Sequence, residues 1–255
     1  DFFSLAFELL KATGAVTLEA SGKNAGCWVM PLEGTPEFAG LEDPDKVIVR
    51  SDGTVTYVGK DIAYQLWKFG LLGKDFAYRY WKEAGLWVTG REGADDHPAF
   101  GHGANVINVI DARQSYLQKI VRAGLSALGH HEAAARSVHF AYEMVTLSPA
   151  TAQALGYLAP EGEEGRSMEM SGRKGIGVKA DDLLDRLEEK AREEIASRNR
   201  ELGKEELARL AKEIAVAAVR FFMVKTGTTR VIAFDLDEAL NFEGESGPYL
   251  QYSLV

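Results

Sequence analysis

The chain has 255 residues, enough for one large or two small domains, and its 46% hydrophobic and 26% charged content is ordinary for a globular protein. No run of 18 apolar residues occurs, so the sequence predicts no membrane span. The net charge is −9, from 29 basic and 38 acidic residues, which argues against a chain that mainly grips nucleic acid but leaves room for a local basic strip.

Strand-like and helix-like segments alternate along the chain. The first, Phe2 to Gly14, is typical of an amphipathic helix, because Phe3, Ala6 and Leu10 share one face and Gly14 can end it. The later helices are predicted at 61–70, 114–129, 182–197 and 204–223. The strands are predicted at 27–30, 47–49, 55–58, 106–110, 138–147 and 231–234. This alternation favours an α/β fold.

Four stretches of the sequence allow a more specific structural prediction. Residues 51–53, Ser-Asp-Gly, lie between two β-branched runs and predict a hairpin turn. Residues 106–110 are almost continuously apolar, which fits a parallel strand buried on both faces. Residues 76–104 and 148–166 are expected to be insertions, and the first is aromatic, glycine-rich and predicted to be irregular.

The start of the sequence and its single cysteine bear on the setting of the chain. The segment from Asp1 to Ser4 has neither an initiator Met nor the basic region of a signal peptide, so we expect the chain to begin inside a longer protein. Cys27 has no second cysteine with which to form an internal disulfide. Together these features favour a reducing, cytoplasmic compartment.

A tyrosine and an aspartate four residues apart follow the hairpin-turn signal. Tyr57 is predicted to close a strand and Asp61 to open a helix, and strand-to-helix turns of α/β sheets commonly bind ligands. A carboxylate can accept the planar donor fork of a guanidinium bidentately, and a Tyr ring or hydroxyl can complete such a pocket. From the residues alone, a helix N-cap is the favoured role for Asp61.

A short basic loop lies between an acidic run and the first long helix. Residues 170–175 read Met-Ser-Gly-Arg-Lys-Gly. Glycines let the backbone approach a ligand closely, and Arg173 and Lys174 can make charge-assisted hydrogen bonds to phosphate oxygens. These residues predict an anion site, and a basic surface turn before a helix is an equally weighted alternative.

Several motifs of this chain, in the order in which they occur along the sequence, resemble those of the arginyl-tRNA synthetases, a family of class I aminoacyl-tRNA synthetases. Residues 170–175 are similar to the family's degenerate KMSKS signature, and Tyr57-x-x-x-Asp61 is similar to its arginine-holding pair. Residues 242–252 are similar to its passage into a helical anticodon-binding domain. The resemblance covers about 22–252 and depends on the order of the motifs.

The resemblance implies an arginine site. Tyr57 and Asp61 would hold the substrate side chain, and Gln114, which follows the predicted strand 106–110, would join them. From spacing alone, a polar helix start is as good an interpretation of Gln114.

The resemblance also implies an ATP site. Ser171, Arg173 and Lys174 would be catalytic, since they would stabilise the negative charge that develops when arginine attacks the α-phosphate and pyrophosphate leaves. The ATP-binding residues implied by the resemblance are His139, Met170, Ser171 and Lys174. A histidine on an apolar strand is more often a core residue than a catalyst, so His139 also has a purely structural interpretation.

A fold and an activity follow from the same resemblance. Residues 1–230 would form the second half of a Rossmann-like class I catalytic domain, with helices after the KMSKS-like loop, and 231–255 a junction toward an absent anticodon-binding domain. The activity would be the ATP- and Mg²⁺-dependent attachment of arginine to tRNA(Arg) through arginyl-adenylate. No protein metal site and no membrane partner are expected.

Two departures from the family pattern shape a further expectation. Glu169 and Gly172 occupy the positions of the two signature lysines, and no HIGH-type signature occurs. We therefore expect a fragment that is inactive alone and lacks the N-terminal half of the same catalytic domain. The alternatives are a non-catalytic arginine- or tRNA-associated binding or assembly module and another adenylate-forming nucleotidyl-transfer enzyme, and an intact HIGH signature upstream would favour the synthetase.

Overall fold

The computed structural model describes residues 2–42, 44–157, 167–169, 178–241 and 243–253. The chain divides into two compact units, the first ending at Phe140 and the second beginning at Ala141. Among the described residues no helix is both long enough and apolar enough to cross a membrane.

The first unit is built from helices and short strands that enclose one hydrophobic core. Its helices are α1 (Phe2–Ala12), α2 (Tyr57–Lys68), α3 (Ser115–Ala127) and α4 (His131–Ala135). Its strands are β1 (Thr17–Leu18), β2 (Trp28–Met30), β3 (Lys46–Val49), β4 (Ala77–Trp81), β5 (Leu86–Gly90), β6 (Val106–Asp111) and β7 (Ser137–Tyr142), the last of which runs into the boundary between the units.

Two glycines let the helices of the first unit approach closely. A Cβ on Gly59 of α2 would lie 2.9 Å from Cε2 of Phe3 on α1. A Cβ on Gly124 of α3 would lie 2.9 Å from Cδ1 of Ile62 on α2. The core between these helices contains fully buried side chains such as Leu10 and Ile62. The close packing holds α2 firmly, and α2 carries four of the residues of the candidate site described below.

The strands of the first unit form three small sheets. Strands β1, β2 and β3 form an antiparallel sheet in this order, with Val29 opposite both Thr17 and Val47. Strands β4 and β5 form an antiparallel hairpin, and β6 pairs with β7. The side of β6 that carries Val106 and Asn108 is buried.

The second unit is mainly helical. Its helices are α5 (Pro149–Ala154), α6 (Ala180–Arg198), α7 (Lys204–Lys225), α8 (Leu236–Ala239) and α9 (Gly247–Tyr252). Its strands are β8 (Val145–Leu147), β9 (Met168–Glu169) and β10 (Ile232–Phe234). Strand β8 lies between the other two, parallel to β10 and antiparallel to β9. Small side chains of α7, such as Ala211 and Ala215, pack in a core that also holds Leu187 and Phe234.

The predicted mixture of helices and strands is confirmed, but the described strands are distributed over four small sheets. Four helices, α1, α3, α6 and α7, begin and end within two residues of their predicted bounds because their apolar periodicity and end signals are local, whereas α2 begins four residues before its predicted start. The expected strand at 55–58 is wrong. Helix α2 begins at Tyr57, Thr56 is its N-cap, and Val55 makes only an isolated bridge to Val49. The Thr56 hydroxyl caps the helix, and this stabilisation of the helix start outweighs the preference of the β-branched residues in this run for a strand.

Three other strand expectations need correction. The segment 76–104 is not irregular, since it contains the β4–β5 hairpin. The single strand expected at 138–147 is two strands, one paired with β6 and the other with β10. Strand β6 is not buried on both faces, because Ile107 and Val109 are 62% and 63% exposed. An apolar run permits burial, but only a covering element produces it.

Candidate functional site

The structure places Asp61 and Lys68 on the same face of α2, two helical turns apart. Both side chains line a cavity of about 230 Å³ in the first unit. The described residues that line it are Asp61, Tyr64, Gln65, Lys68, Asn108, Ile110, Gln118 and Val121. The cavity therefore brings one acid and one base together with three amides from α2, β6 and α3.

A buried amide network forms one wall of this cavity. Asn108 Nδ2 donates hydrogen bonds to Gln65 Oε1 at 3.3 Å and to Gln118 Oε1 at 3.0 Å. Gln65 Nε2 in turn donates to Ser137 Oγ at 2.8 Å. Since both donors of Asn108 are engaged, its Oδ1 is left to accept from Lys68 Nζ, at 2.8 Å. The network thus fixes the orientation of the Asn108 amide and the position of the Lys68 ammonium.

The two charges in the cavity act on each other's protonation. Although Asp61 is an exposed residue, partial burial of its carboxyl group raises its pKa above the usual value, and the charge of Lys68 counteracts this rise. Burial lowers the pKa of Lys68, and the charge of Asp61 counteracts that fall. Within the described part of the chain, the Asp61 carboxylate forms no hydrogen bond and no ion pair, and Lys68 acts on it only through its charge at a distance. Its carboxylate is a free acceptor for a cationic ligand.

Tyr57 lies one helical turn before Asp61, at the first position of α2, and is 83% exposed. The expectation that Tyr57 closes a strand and Asp61 opens a helix is therefore wrong. The N-cap role for Asp61 is also wrong, because Thr56 holds that position and accepts from Gly59 N. Tyr57 lines a separate cleft of about 750 Å³, which also contains Lys46 and Arg50.

Gln114 lies at the N-terminal end of α3. It closes a 3-10 turn, Ala112–Gln114, and its side chain is exposed. Neither the Asp61 cavity nor the Tyr57 cleft includes it among the described lining residues. Gln118, one turn later on α3, does line the Asp61 cavity and bonds to Asn108.

Lys68, Asn108 and Gln118 were not selected from the sequence as site residues, although Asn108 begins the motif 108–114 from which Gln114 was chosen. Signals for them exist in hindsight. Lys68 stands seven residues after Asp61, so the two share a helix face. Asn108 is a polar residue in an apolar strand, and buried polar groups require partners. Gln118 repeats Gln114 at i+4 on the same helix, but only the tertiary structure shows which glutamine is turned inward.

His139 joins the two strands of its sheet. Its Nε2 lies 2.9 Å from the carbonyl oxygen of Ile110 on β6. A carbonyl oxygen only accepts, so Nε2 must carry the hydrogen in this contact. The contact gives His139 a structural role, and its place beside ATP stays a prediction.

The basic loop falls outside the described residues. Met170, Ser171, Arg173 and Lys174, the predicted catalytic and ATP-binding residues of this loop, belong to that gap. The described chain reaches it through β9, in which Met168 pairs with Leu147 of β8.

Comparison with known proteins addresses the predicted family. The family model described as "tRNA synthetases class I (R), catalytic domain" matches residues 100–236, which is more than half of the chain. The chain belongs to the class I arginyl-tRNA synthetase family. The predicted resemblance is confirmed.

Relatives of the same family match along almost the whole chain. The arginine–tRNA ligase of Deinococcus radiodurans is 38% identical over 260 aligned positions, which cover 100% of this chain and 39% of the relative. An arginine–tRNA ligase of Thermus thermophilus is 40% identical over 251 positions, 97% of this chain and 38% of the relative.

A solved structure agrees with this assignment. The Thermus thermophilus arginyl-tRNA synthetase superposes with a TM-score of 0.76 at 35% identity, over 99% of this chain and 38% of that chain. The chain therefore spans about two fifths of the length of these relatives.

Proposed function

We propose that this chain is part of an arginine–tRNA ligase and that its first unit holds the arginine side chain. In the complete reaction, the arginine carboxylate attacks the α-phosphate of ATP, which forms arginyl-adenylate and releases pyrophosphate. The arginyl group then passes to tRNA(Arg), and AMP is released. Family membership supports the reaction, and the unpartnered Asp61 carboxylate in its cavity is the observation that supports the site.

The chemistry of the cavity fits a guanidinium. Asp61 presents two acceptor oxygens, and the guanidinium presents paired donors in a plane, so the two can bond bidentately. A guanidinium stays protonated at all ordinary pH values, which means that its recognition needs Asp61 to be ionised. Tyr57 and Gln114 belong to the proposed arginine site by the family pattern, and both are exposed residues that do not line the Asp61 cavity.

The ATP site is proposed from the family pattern. Ser171, Arg173 and Lys174 would contact the triphosphate, with Met170 and His139 beside the nucleotide. Among the described residues no group of three His, Cys, Asp or Glu side chains is arranged to hold a metal. In the proposal Mg²⁺ enters with ATP and is bound to its phosphates, as it often is in nucleotide sites.

The remaining partners are also part of the proposal. The first half of the catalytic domain would supply the other contacts to ATP, and tRNA(Arg) would bind through the full-length protein. A reducing, cytoplasmic setting is also part of the proposal, and the single cysteine, Cys27, supports it.

The test of this function is Asp61→Asn in the full-length protein. Losing the charge that pairs with the guanidinium should cost about 2–5 kcal/mol, which raises the KM for arginine about 30-fold or more. The measurement is arginine-dependent ATP–pyrophosphate exchange, with tRNA(Arg) present. Asp96→Asn, which neutralises an exposed aspartate outside the cavity, is the matched control and should leave KM unchanged. An Asp61→Asn enzyme with the wild-type KM would contradict the proposed arginine site.

A further inference from the structure

We propose that Lys68 is a specificity-determining residue that makes the pocket accept a guanidinium and reject an ammonium at Asp61. This inference rests on the proposed function, since it requires that Asp61 receive a cationic side chain. The pocket then contains a positive charge, that of Lys68, as well as the negative charge of Asp61.

The geometry directs Lys68 into the cavity. Its ammonium lies 4.5 Å from the ring centroid of Tyr64, four residues earlier on α2. The side chain therefore runs back along the helix toward the turn that carries Asp61. Asp61 and Lys68 are the two charged side chains among the described residues that line the cavity.

The amide network prevents Lys68 from leaving when a ligand arrives. Asn108 Oδ1 accepts from Lys68 Nζ at 2.8 Å, while Gln65 and Gln118 occupy both donors of the same amide. Asn108 is buried, so withdrawal of Lys68 would leave its carbonyl oxygen without a partner, which is unfavourable. Any cation that enters the cavity must therefore bind beside the Lys68 ammonium.

The neighbouring positive charge affects the two kinds of cation differently. The ammonium of lysine is a compact point charge that holds its water strongly, whereas a guanidinium is planar, delocalised and more weakly hydrated. A ligand ammonium would lose more hydration and would carry its whole charge at one atom near Lys68. A guanidinium spreads its charge and bonds bidentately to Asp61, so repulsion from Lys68 costs it less. Repulsion of this kind is a recognised route to specificity.

The experiment uses the full-length protein and compares the binding of L-arginine and L-lysine by isothermal titration calorimetry. In Lys68→Met, the ratio of the lysine Kd to the arginine Kd should fall about tenfold or more, mainly through tighter lysine binding. Lys68→Gln, whose amide can still donate to Asn108, should give the same fall and covers the case in which Lys68→Met does not fold.

Two controls on the same residue type and helix complete the design. Lys68→Arg keeps the charge and should keep the discrimination against lysine. Lys60→Met removes an exposed charge of α2 that does not line the cavity, and should leave the ratio at its wild-type value.

The outcomes separate this inference from the proposed function. An unchanged ratio in both neutral variants of Lys68 would overturn the specificity role, as would an equal fall in Lys60→Met. If Asp61→Asn weakens arginine binding while the Lys68 variants keep the ratio, only the inference fails. If Asp61→Asn leaves arginine binding unchanged, the proposed arginine site fails as well.

Discussion

At the scale of single residues, the ionisation of Asp61 should govern arginine binding. Burial raises the pKa of Asp61 and Lys68 counteracts the rise, so the net pKa lies above the usual aspartate value. The guanidinium does not titrate in this range, which leaves Asp61 as the group that switches. Protonated Asp61 carries no charge, and arginine affinity should therefore fall as the pH falls through this raised pKa.

The measurement is the Kd for arginine as a function of pH, from about pH 4 to about pH 8. We expect the affinity to begin to fall at a higher pH than an ordinary exposed aspartate would allow. In Lys68→Met the fall should begin at a still higher pH, because the charge that opposes the rise is gone. A profile that is flat down to the ordinary aspartate range in both proteins would contradict this prediction.

A second residue-scale prediction concerns Tyr78 and Asp75. Asp75 Oδ1 accepts from Trp67 Nε1 at 2.8 Å, from Phe76 N at 2.7 Å and from the Tyr78 hydroxyl at 2.9 Å. Burial, followed by the hydrogen bond and the charge of Asp75, raises the pKa of Tyr78 to about 12. The unfolded chain has a tyrosine pKa of about 10, so the folded state favours the neutral phenol.

The sign of the effect follows from this difference. The stabilisation by Tyr78 is fully present below about pH 10 and is lost as the pH rises to about 12. Tyr78→Phe should cost about 1 kcal/mol at neutral pH through the lost hydrogen bond. Urea unfolding at several pH values should show the gap between wild type and variant closing above about pH 10. A gap that stays constant to about pH 12 would refute the assigned coupling.

At the scale of elements, Gly247 decides how closely α9 can approach α7. A Cβ at this position would lie 2.8 Å from Ala218 Cα and 3.1 Å from the carbonyl oxygen of Ala217, both backbone atoms of α7. Backbone atoms cannot rotate away, so Gly247→Ala must separate the two helices. We expect a loss of about 1–3 kcal/mol in the free energy of unfolding.

Gly227→Ala is the matched control for Gly247→Ala, because nothing lies within 4 Å of the Cβ that it adds and its φ is not positive. Both variants are to be unfolded in urea and followed by far-ultraviolet circular dichroism. Equal midpoints would show that α9 and α7 do not depend on the close approach.

The packing of whole elements also explains why Tyr57 and Asp61 line different cavities. Helix α2 carries Tyr57 and Asp61 one turn apart, but the first faces the large cleft with Lys46 and Arg50 and the second faces the small cavity with Lys68. The packing of β6 with α2 and α3 brings in the amides that fix Lys68. Each partner comes from a separate element, so the cavity depends on their packing and not on any one motif.

At the scale of the whole molecule, an apolar surface in the first unit requires an explanation. The outward face of the β6–β7 sheet exposes four large apolar side chains, namely Ile107, Val109, Val138 and Phe140. A surface of this kind commonly marks an interaction face or an association hazard. The chain also spans only about two fifths of its relatives' length.

We therefore predict that the 255 residues alone self-associate and show no arginine-dependent ATP–pyrophosphate exchange. Light scattering reports association, and the exchange assay with arginine, ATP and tRNA(Arg) reports activity. Ile107→Thr with Val109→Thr should reduce association, because both changes lie on the exposed face. Robust exchange by a monomeric chain would show that the essential nucleotide chemistry lies within these residues.

The sequence alone determined the family, the mixed α/β character and the long helices. Helix α1 could be predicted because Ala6 and Leu10 recur at helical spacing and Gly14, at φ 71°, ends the turn that follows. Helices α6 and α7 follow the same local rules of periodicity. Asp61 was singled out from the sequence through a motif, and its role in arginine binding stays a prediction; its position inside α2 was not predicted.

Only the tertiary structure decided the rest of the candidate site. The cavity brings together Lys68 of α2, Asn108 of β6 and Gln118 of α3. No local sequence pattern in these three elements indicates that their side chains are in contact. The apolar run of β6 could not show that Ile107 and Val109 lie on an uncovered face. Periodicity and caps are encoded over a few neighbouring residues, whereas burial and side-chain contact depend on which distant segment packs against each face.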